Sequence, residues 1–366
     1  MTPQQFDSSD QRGSIRVGLI GYGLAGAVFH APLIAATQGL RLAAVVTGNA
    51  ERREAARRSH PGAGLFGTPA QLWEHAADLD LVVVASPNRT HVPLALAALA
   101  AGLHVVVDKP LAPTAAEGRR LTNEAREQRL MLTVFHNRRW DGDFLTLRRL
   151  LREGALGEPL RFESRFERWR SVPKPGWREL GAPEEAGGLL YDLGCHLIDQ
   201  ALVLFGPGSH VYAELDRRRS SVEVDDDSFV ALTHASGVRS HLFMSAVAAQ
   251  GGPRIRLLGS RAAYVKHGLD VQEAMLRRDW RFDPTGSTQE LRDSSGQLGS
   301  GDAVVTIPTE TGAYHRFYEG VVASLRDGGP PPVDPADAVA GLEIIEAARR
   351  SAAERRVITV SGGSTS

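Results

Sequence analysis

The sequence predicts an α/β chain in two parts: an N-terminal doubly wound parallel sheet, then an α+β region built on a large, mostly antiparallel open sheet. Three observations carry this. Short β-rich runs alternate with helix-length segments up to about residue 150. The early runs are apolar along their whole length. The later runs follow one another without helices between them. Parallel strands covered on both faces read as unbroken apolar runs, whereas strands joined by turns build antiparallel sheets with one wetter face.

In chain order, Met1–Gly13 is polar, lacks an apolar signal core and is expected as a disordered lead-in. Strands are expected at Ile15–Ile20, Leu40–Val46, Leu81–Ala85, His104–Val107 and Met131–Phe135. Helices fall between them at Ala25–Ala36, Ala50–Ser59, Pro69–His75, Pro93–Ala101 and Ala115–Gln128. Right-handed crossovers between such strands give a doubly wound sheet. From Leu160 to Arg168 the pattern changes to strict alternation, with Arg161, Glu163, Arg165 and Glu167 on one face and Phe162, Ser164 and Phe166 on the other. Further strands are expected at Val211–Leu215, Ser228–His234, Val238–Ala246 and Arg254–Leu258. The Gly/Ser-rich segment Asp283–Asp302 reads as a loop. Helices at Tyr314–Arg326 and Pro335–Glu354 close the chain, the second capped by Asp334, and Gly362–Ser366 reads as a frayed tail. The expected division is therefore 1–13 lead-in, 14–136 dinucleotide-binding domain and 137–361 substrate-binding and oligomerisation domain.

Composition narrows the function classes. The 366 residues carry 42 basic and 43 acidic side chains, a formal net charge of −1. That balance gives no support for nucleic-acid or anionic-membrane partners. No stretch approaches 18 apolar residues, so no membrane span is expected. The single cysteine, Cys195, excludes an intrachain disulfide and a multi-cysteine metal site, and fits a reducing, cytoplasmic setting.

Gly21-Tyr22-Gly23-Leu24-Ala25-Gly26 follows the first strand and opens a helix. In that context G-x-G-x-x-G is the Rossmann phosphate-binding turn. Gly21 allows the turn, Gly23 admits a pyrophosphate to the backbone, and Gly26 lets helix and strand approach, with free N–H groups at the helix start. At the end of the second strand, where an NAD site usually carries an acid, stand Thr47, Gly48 and Asn49, followed by Arg52 and Arg53. A 2′-phosphate would meet no repulsion there and could pair with arginine, so NADP is favoured and NAD remains open. The loop Ser86-Pro87-Asn88-Arg89-Thr90-His91 should border the nicotinamide ribose, with Thr90 a candidate cap; His91 reads equally as a cofactor neighbour or as a satisfied turn histidine.

Only three of the 42 basic residues are lysines. One of them, Lys109, ends the strand run after Asp108 and precedes Pro110, at a strand end where ligands sit in such sheets. A partly buried lysine can lower its pKa and pass a proton, which arginine cannot. Lys174 and Lys266 keep open the reading of Lys109 as a leftover surface charge. In the apolar helix following Gly187 and Gly188, Asp192, His196 and Asp199 lie at i, i+4 and i+7, on one narrow stripe. A buried polar stripe must be paired, internally or with a ligand. Asp192 one turn from His196 would orient the ring and raise its basicity, which makes a general acid/base. Cys195 reads as a packing residue. No spacing of ligand residues supports a metal, even with His136 as a third donor.

Together, Gly21–Gly26 with Val28-Phe29-His30-Ala31-Pro32, Asp108-Lys109-Pro110, and Asp192-x-Gly194-x-His196-x-x-Asp199 resemble the Gfo/Idh/MocA oxidoreductase family over nearly the whole chain. Phe135–Asp141 and Trp177-Arg178-Glu179 resemble the branch with NADP-dependent scyllo-inositol dehydrogenases. The resemblance implies a nicotinamide-dependent dehydrogenase of sugars, polyols or cyclitols. In it Lys109 touches the substrate hydroxyl, His196 acts as base or acid, and Asp192 binds substrate. Asp108 stands where many members have Glu. Asn137 and Arg138 would line the junction of cofactor and substrate, and Trp177 and Arg178 would close over the nicotinamide. It also implies a homodimer or homotetramer through the outer face of the second sheet. Two other functions compete: a glycosidase of the same fold with a tightly held nicotinamide, and a non-catalytic dinucleotide-binding sensor, which would have no need of the Lys109, Asp192 and His196 set.

Overall fold

The computed structural model describes residues 13–173, 176, 179, 185–220, 222–278 and 295–360. Six strands, β1 (Ile15–Ile20), β2 (Leu40–Val46), β3 (Gly64–Phe66), β4 (Leu81–Val84), β5 (His104–Asp108) and β6 (Leu132–Phe135), form one sheet in the order β3-β2-β1-β4-β5-β6. Every pairing in it is parallel. The connections reverse direction between β1 and β4, and ligands bind at the carboxyl ends of strands at such a switch point. The β-branched runs of β4 and β5 explain their central place, since Leu81–Val84 and Val105–Val107 are wholly enclosed.

Helix α1 opens with a π-helical turn, Ala25–His30, before α-helical Ala31–Ala36. It is followed by α2 (Ala50–Ser59), α3 (Pro69–Trp73), α4 (His91–Ala100) and α5 (Ala115–Glu127). Strand β3 escaped the sequence reading because it is a three-residue edge strand with no fully buried residue. Thr90 does not cap α4 with its side chain; its hydroxyl donates instead to Pro87 O at 2.6 Å.

After α6 (Gly142–Arg152) the chain enters a nine-stranded sheet made of β7 (Pro159–Glu167), β8 (Gly208–Asp216), β9 (Asp227–His234), β10 (Arg239–Ser245), β11 (Ile255–Gly259), β12 (Ala263–Lys266), β13 (Gly296–Ser300), β14 (Ala303–Ile307) and β15 (Ile358–Thr359). The order is β14-β13-β12-β11-β7-β10-β9-β8-β15. All its pairings are antiparallel except β7 with β10. Phe162, Ser164 and Phe166 face the helices from β7, as their alternation requires. Against this face lies α7, π-helical over Leu190–Gly194 and α-helical over Cys195–Phe205. Helices α8 (Gln272–Arg278), α9 (His315–Asp327) and α10 (Pro335–Glu354) complete the structure, and the Asp334 side chain caps α10 by accepting from Ala336 N at 2.8 Å.

The loop expected over Asp283–Asp302 needs correction at its end. Residues 283–294 lie outside the described residues, but Gly296–Ser300 is strand β13. Its glycines are there for close approach: a β-carbon on Gly296 would collide with the Tyr264 ring, and one on Gly299 would lie 2.0 Å from Ala303 O. Late segments also return to the first sheet. Thr133 on β6 donates to Val333 O at 2.8 Å, and α10 packs on both α5 and β8.

Candidate active site

The glycine turn lies at the carboxyl end of β1. Gly21 has φ +101°, and a β-carbon there would lie 2.4 Å from Ala85 O. One on Gly26 would lie 2.0 Å from Gly21 O, so helix start and strand end touch through backbone alone. Among the described residues, a β-carbon on Gly23 would meet only Arg52 Nη1, at 3.6 Å. The backbone at Gly23 is therefore open to a ligand, with a guanidinium at its edge. Tyr22 is turned away, its ring edge-on to His60 with centroids 6.1 Å apart, while Leu24 is exposed and Ala25 starts α1. Thr47 is buried, and Asn49 caps α2 by accepting from Arg52 N at 2.9 Å. Arg53 is occupied with Thr47 O at 3.2 Å, which leaves Arg52 as the guanidinium facing the turn. An open backbone, an uncapped helix start and a flanking cation fit a dinucleotide phosphate.

The Ser86–His91 loop borders the same crevice and is held from behind. Ser86 Oγ donates to Thr90 Oγ1 at 2.6 Å, since the Thr90 hydroxyl is committed to Pro87 O. Asn88 Nδ2 donates to Ala186 O at 2.9 Å. His91 is fully enclosed, with Nδ1 2.8 Å from Pro110 O and Nε2 3.0 Å from Ser86 O. Of its two sequence readings, the geometry fits the turn histidine. Its ring ties this loop to the turn after Lys109, and the side chains of both Asn88 and His91 are hydrogen-bonded to backbone carbonyls.

Lys109 follows β5 through a cis peptide to Pro110. Its backbone N–H donates to Asp108 Oδ1 at 2.9 Å. Its ammonium reaches across to α7, where it donates to Asp192 O at 2.5 Å and to Asp192 Oδ1 at 2.8 Å. The expected Asp192–His196–Asp199 stripe does not form one network. The π-helical opening of α7 shifts the phase between Asp192 and His196. Asp192 pairs with Lys109, whereas Asp199 receives Arg139 bidentately at 2.6 and 2.9 Å. His196 is buried edge-on to His136, with ring centroids 6.1 Å apart, and its Nδ1 has no hydrogen-bond partner among the described residues. Burial, and after it the charges of Lys109 and Arg138, hold the His196 imidazole well below its ordinary range. The expected rise in basicity from Asp192 is thus reversed: His196 is a neutral ring with a free nitrogen.

Asn137 is buried in the turn after β6. Arg138 donates to Glu273 at 2.9 Å and Asp141 at 3.3 Å, and stacks over Phe166 at 4.7 Å. Trp177 and Arg178 lie outside the described residues. Burial pushes the Cys195 thiol up to about 12, as suits a packing residue. Among the described residues no three His, Cys, Asp or Glu side chains converge as a metal set. Sequence reasoning gave no role to Arg139, which takes the Asp199 carboxylate, or to Gln200, which donates to Arg138 O at 2.8 Å. The Arg138-Arg139-Trp140 run was the available signal for the first; nothing local marked the second.

Two family models match the chain. One is the oxidoreductase family's NAD-binding Rossmann fold, over residues 15–136, and the other its C-terminal alpha/beta domain, over residues 148–360. The chain is 40% identical to the uncharacterized oxidoreductase YdgJ of Escherichia coli, covering 94% of this chain and 98% of that one. It is 34% identical to the scyllo-inositol 2-dehydrogenase (NADP(+)) IolW of Bacillus subtilis, over 94% and 96%. Among solved structures, YvaA of Bacillus subtilis superposes with a TM-score of 0.88 at 32% identity, covering 96% of this chain and all of that one.

Proposed function

The chain belongs to the Gfo/Idh/MocA oxidoreductase family, and from that premise we propose that it is an NADP-preferring dehydrogenase acting on a CH–OH group of a sugar, polyol or inositol-like cyclitol. The observation that carries this is the Lys109 ammonium, 2.8 Å from Asp192 Oδ1, beside a buried neutral His196 at the carboxyl end of the parallel sheet. The relative named as an NADP-dependent scyllo-inositol dehydrogenase supports the cyclitol class and the cofactor preference.

Residues 14–136 would hold the dinucleotide, through the open backbone at Gly23 and the Arg52 guanidinium, and 137–361 would present the substrate. When bound, the nicotinamide exchanges hydride with the substrate carbon. The protein handles the accompanying proton. Lys109 donates to the reacting oxygen, Asp192 keeps that ammonium in place, and His196 takes the hydroxyl proton in oxidation and returns it in reduction. Buried without charge, His196 carries an unprotonated ring nitrogen at which that proton can be held.

Reduced-nicotinamide absorbance should rise when NADP is offered with one of a panel of inositols, aldoses and polyols. Lys109→Arg should lower turnover by ~10²-fold or more while dinucleotide binding, followed by fluorescence, persists. Substantial turnover in that variant, or no net absorbance change with any substrate despite dinucleotide binding, would refute the proposal.

A further inference from the structure

His30 belongs to the Val28–Pro32 run, and nothing above assigns it a role. Its ring is fully enclosed and tilted against Phe135 at the end of β6, with ring centroids 4.3 Å apart. Its Nδ1 lies 2.6 Å from the hydroxyl of Tyr318, 288 residues away on α9. Its Nε2 faces Asp108 Oδ1 at 3.8 Å, longer than a hydrogen bond. Asp108 Oδ1 in turn accepts the Lys109 N–H. Tyr318, Phe317 and Phe135 meet edge-on or tilted around the ring, so the surroundings are dry and rigid.

We propose that His30, with its tautomer fixed by Tyr318, is a positioning residue that anchors the Asp108 carboxylate and thereby aims Lys109 at Asp192. This rests on the reading of Lys109 as the proton-handling residue. Burial, with the Asp108 charge added, pushes the Tyr318 hydroxyl well above its ordinary range, so it stays protonated, and in the proposed arrangement it donates to Nδ1 across the 2.6 Å contact. The ring proton then sits on Nε2 and points at Asp108. Burial works against the charge on Asp108, but the imidazole of His30 and the Lys109 ammonium hold its carboxyl below the ordinary range. The carboxylate stays ionised, and its orientation sets the turn that launches the lysine side chain. A helix from the far end of the sequence thus reaches the β5 turn through His30.

Two measurements test it. In histidine-labelled protein, long-range proton–nitrogen correlation should find His30 with its proton on Nε2, and Tyr318→Phe should abolish that preference; a proton on Nδ1 would overturn the proposal without reference to any activity. In the NADP-linked assay, Tyr318→Phe and His30→Ala should lower kcat about 10- to 100-fold with the KM for NADP within about threefold, and His30→Gln, which can still donate toward Asp108, should recover most of the loss. A fall in thermal midpoint with unchanged kcat would mean that His30 is merely structural. Should His30→Ala fail to fold, the isosteric Tyr318→Phe and the tautomer decide. Lys109→Arg separates the two layers. If it keeps turnover, the underlying reading fails; if it is inactive while Tyr318→Phe keeps full kcat, only the positioning proposal fails.

Discussion

At the scale of single residues, Arg52 and the lysines carry the most chemistry. Among the described residues the Arg52 guanidinium is the one group within 4 Å of a β-carbon built on Gly23, and Arg53 is tied to Thr47 O. A charge-assisted contact with a 2′-phosphate is worth about 1.5–3 kcal/mol, or roughly 10- to 100-fold in binding. Arg52→Ala should therefore lower kcat/KM for NADP by about that factor and leave NAD within about threefold. An unchanged ratio of the two cofactors would remove Arg52 as the phosphate partner. The scarcity of lysine proves informative at more than one position. Lys266 is 2% exposed, and its ammonium donates to His267 O. Lysine in this arginine-rich chain marks two internal ammoniums among the described residues, Lys109 with Asp192 and Lys266 with His267 O.

At the scale of elements, the contrast between two helical glycines is a direct test of the glycine turn. Gly26→Ala would put a methyl group 2.0 Å from a backbone carbonyl that no rotamer change can move. It should destabilise the protein by ~2–4 kcal/mol in urea unfolding and weaken dinucleotide binding together. Gly341→Ala, inside α10 with open space at the β-carbon, should stabilise by ~0.5–1 kcal/mol. Equal effects at the two positions would contradict the close-approach account. The same elements mark what was legible. Strands β1, β2, β4, β5 and β6 stood out because burial on both faces leaves an unbroken apolar run, and α10 because Asp334 caps it. Strand β13 was hidden because its glycines serve a tyrosine ring and a neighbouring backbone, contacts that composition cannot distinguish from a flexible loop. The members of the site were legible individually, but their pairing was not. Asp192 chose Lys109 over His196 across 83 positions, and Asp199 chose Arg139 across 60. A straight-helix projection could not anticipate the π-helical phase shift that turned them apart.

At the scale of the whole molecule, the meeting of the two sheets encloses uncharged imidazoles and a misplaced carboxyl proton, and this fixes how stability depends on pH. Burial depresses both His196 and His136 in the folded protein, overriding the pull of Asp199 on the latter. In the unfolded chain each titrates near 6.5. Below that pH the unfolded chain binds protons the native state refuses, so stability is fully present above about 6.5 and is lost as pH falls, by up to roughly 1.4 kcal/mol per pH unit for each ring. Asp141 works in the opposite sense. Burial, reinforced by Asp270 and Asp143 against the attraction of Arg138, pushes its carboxyl up to about 8, where the Tyr314 hydroxyl stands 2.7 Å away. Between about pH 4 and 8 the native state holds a proton there that the unfolded chain has lost, so this group makes stability decline as pH rises. Below about 6.5 these two rings, joined by the depressed His60, His104, His234, His241 and His315, outweigh the raised carboxyls of Asp141, Asp225 and Asp270, and above it the Asp141 carboxyl still loses its proton. The urea midpoint should therefore climb from pH 5 to about 6.5 and then fall gently toward 8. His196→Asn should flatten the acid limb by about one proton, and Asp141→Asn should flatten the alkaline limb. A midpoint that rises as the pH is lowered from 6.5 to 5 would mean that the buried rings are charged in the native protein, and with it would go the neutral His196 on which the proton-accepting role depends.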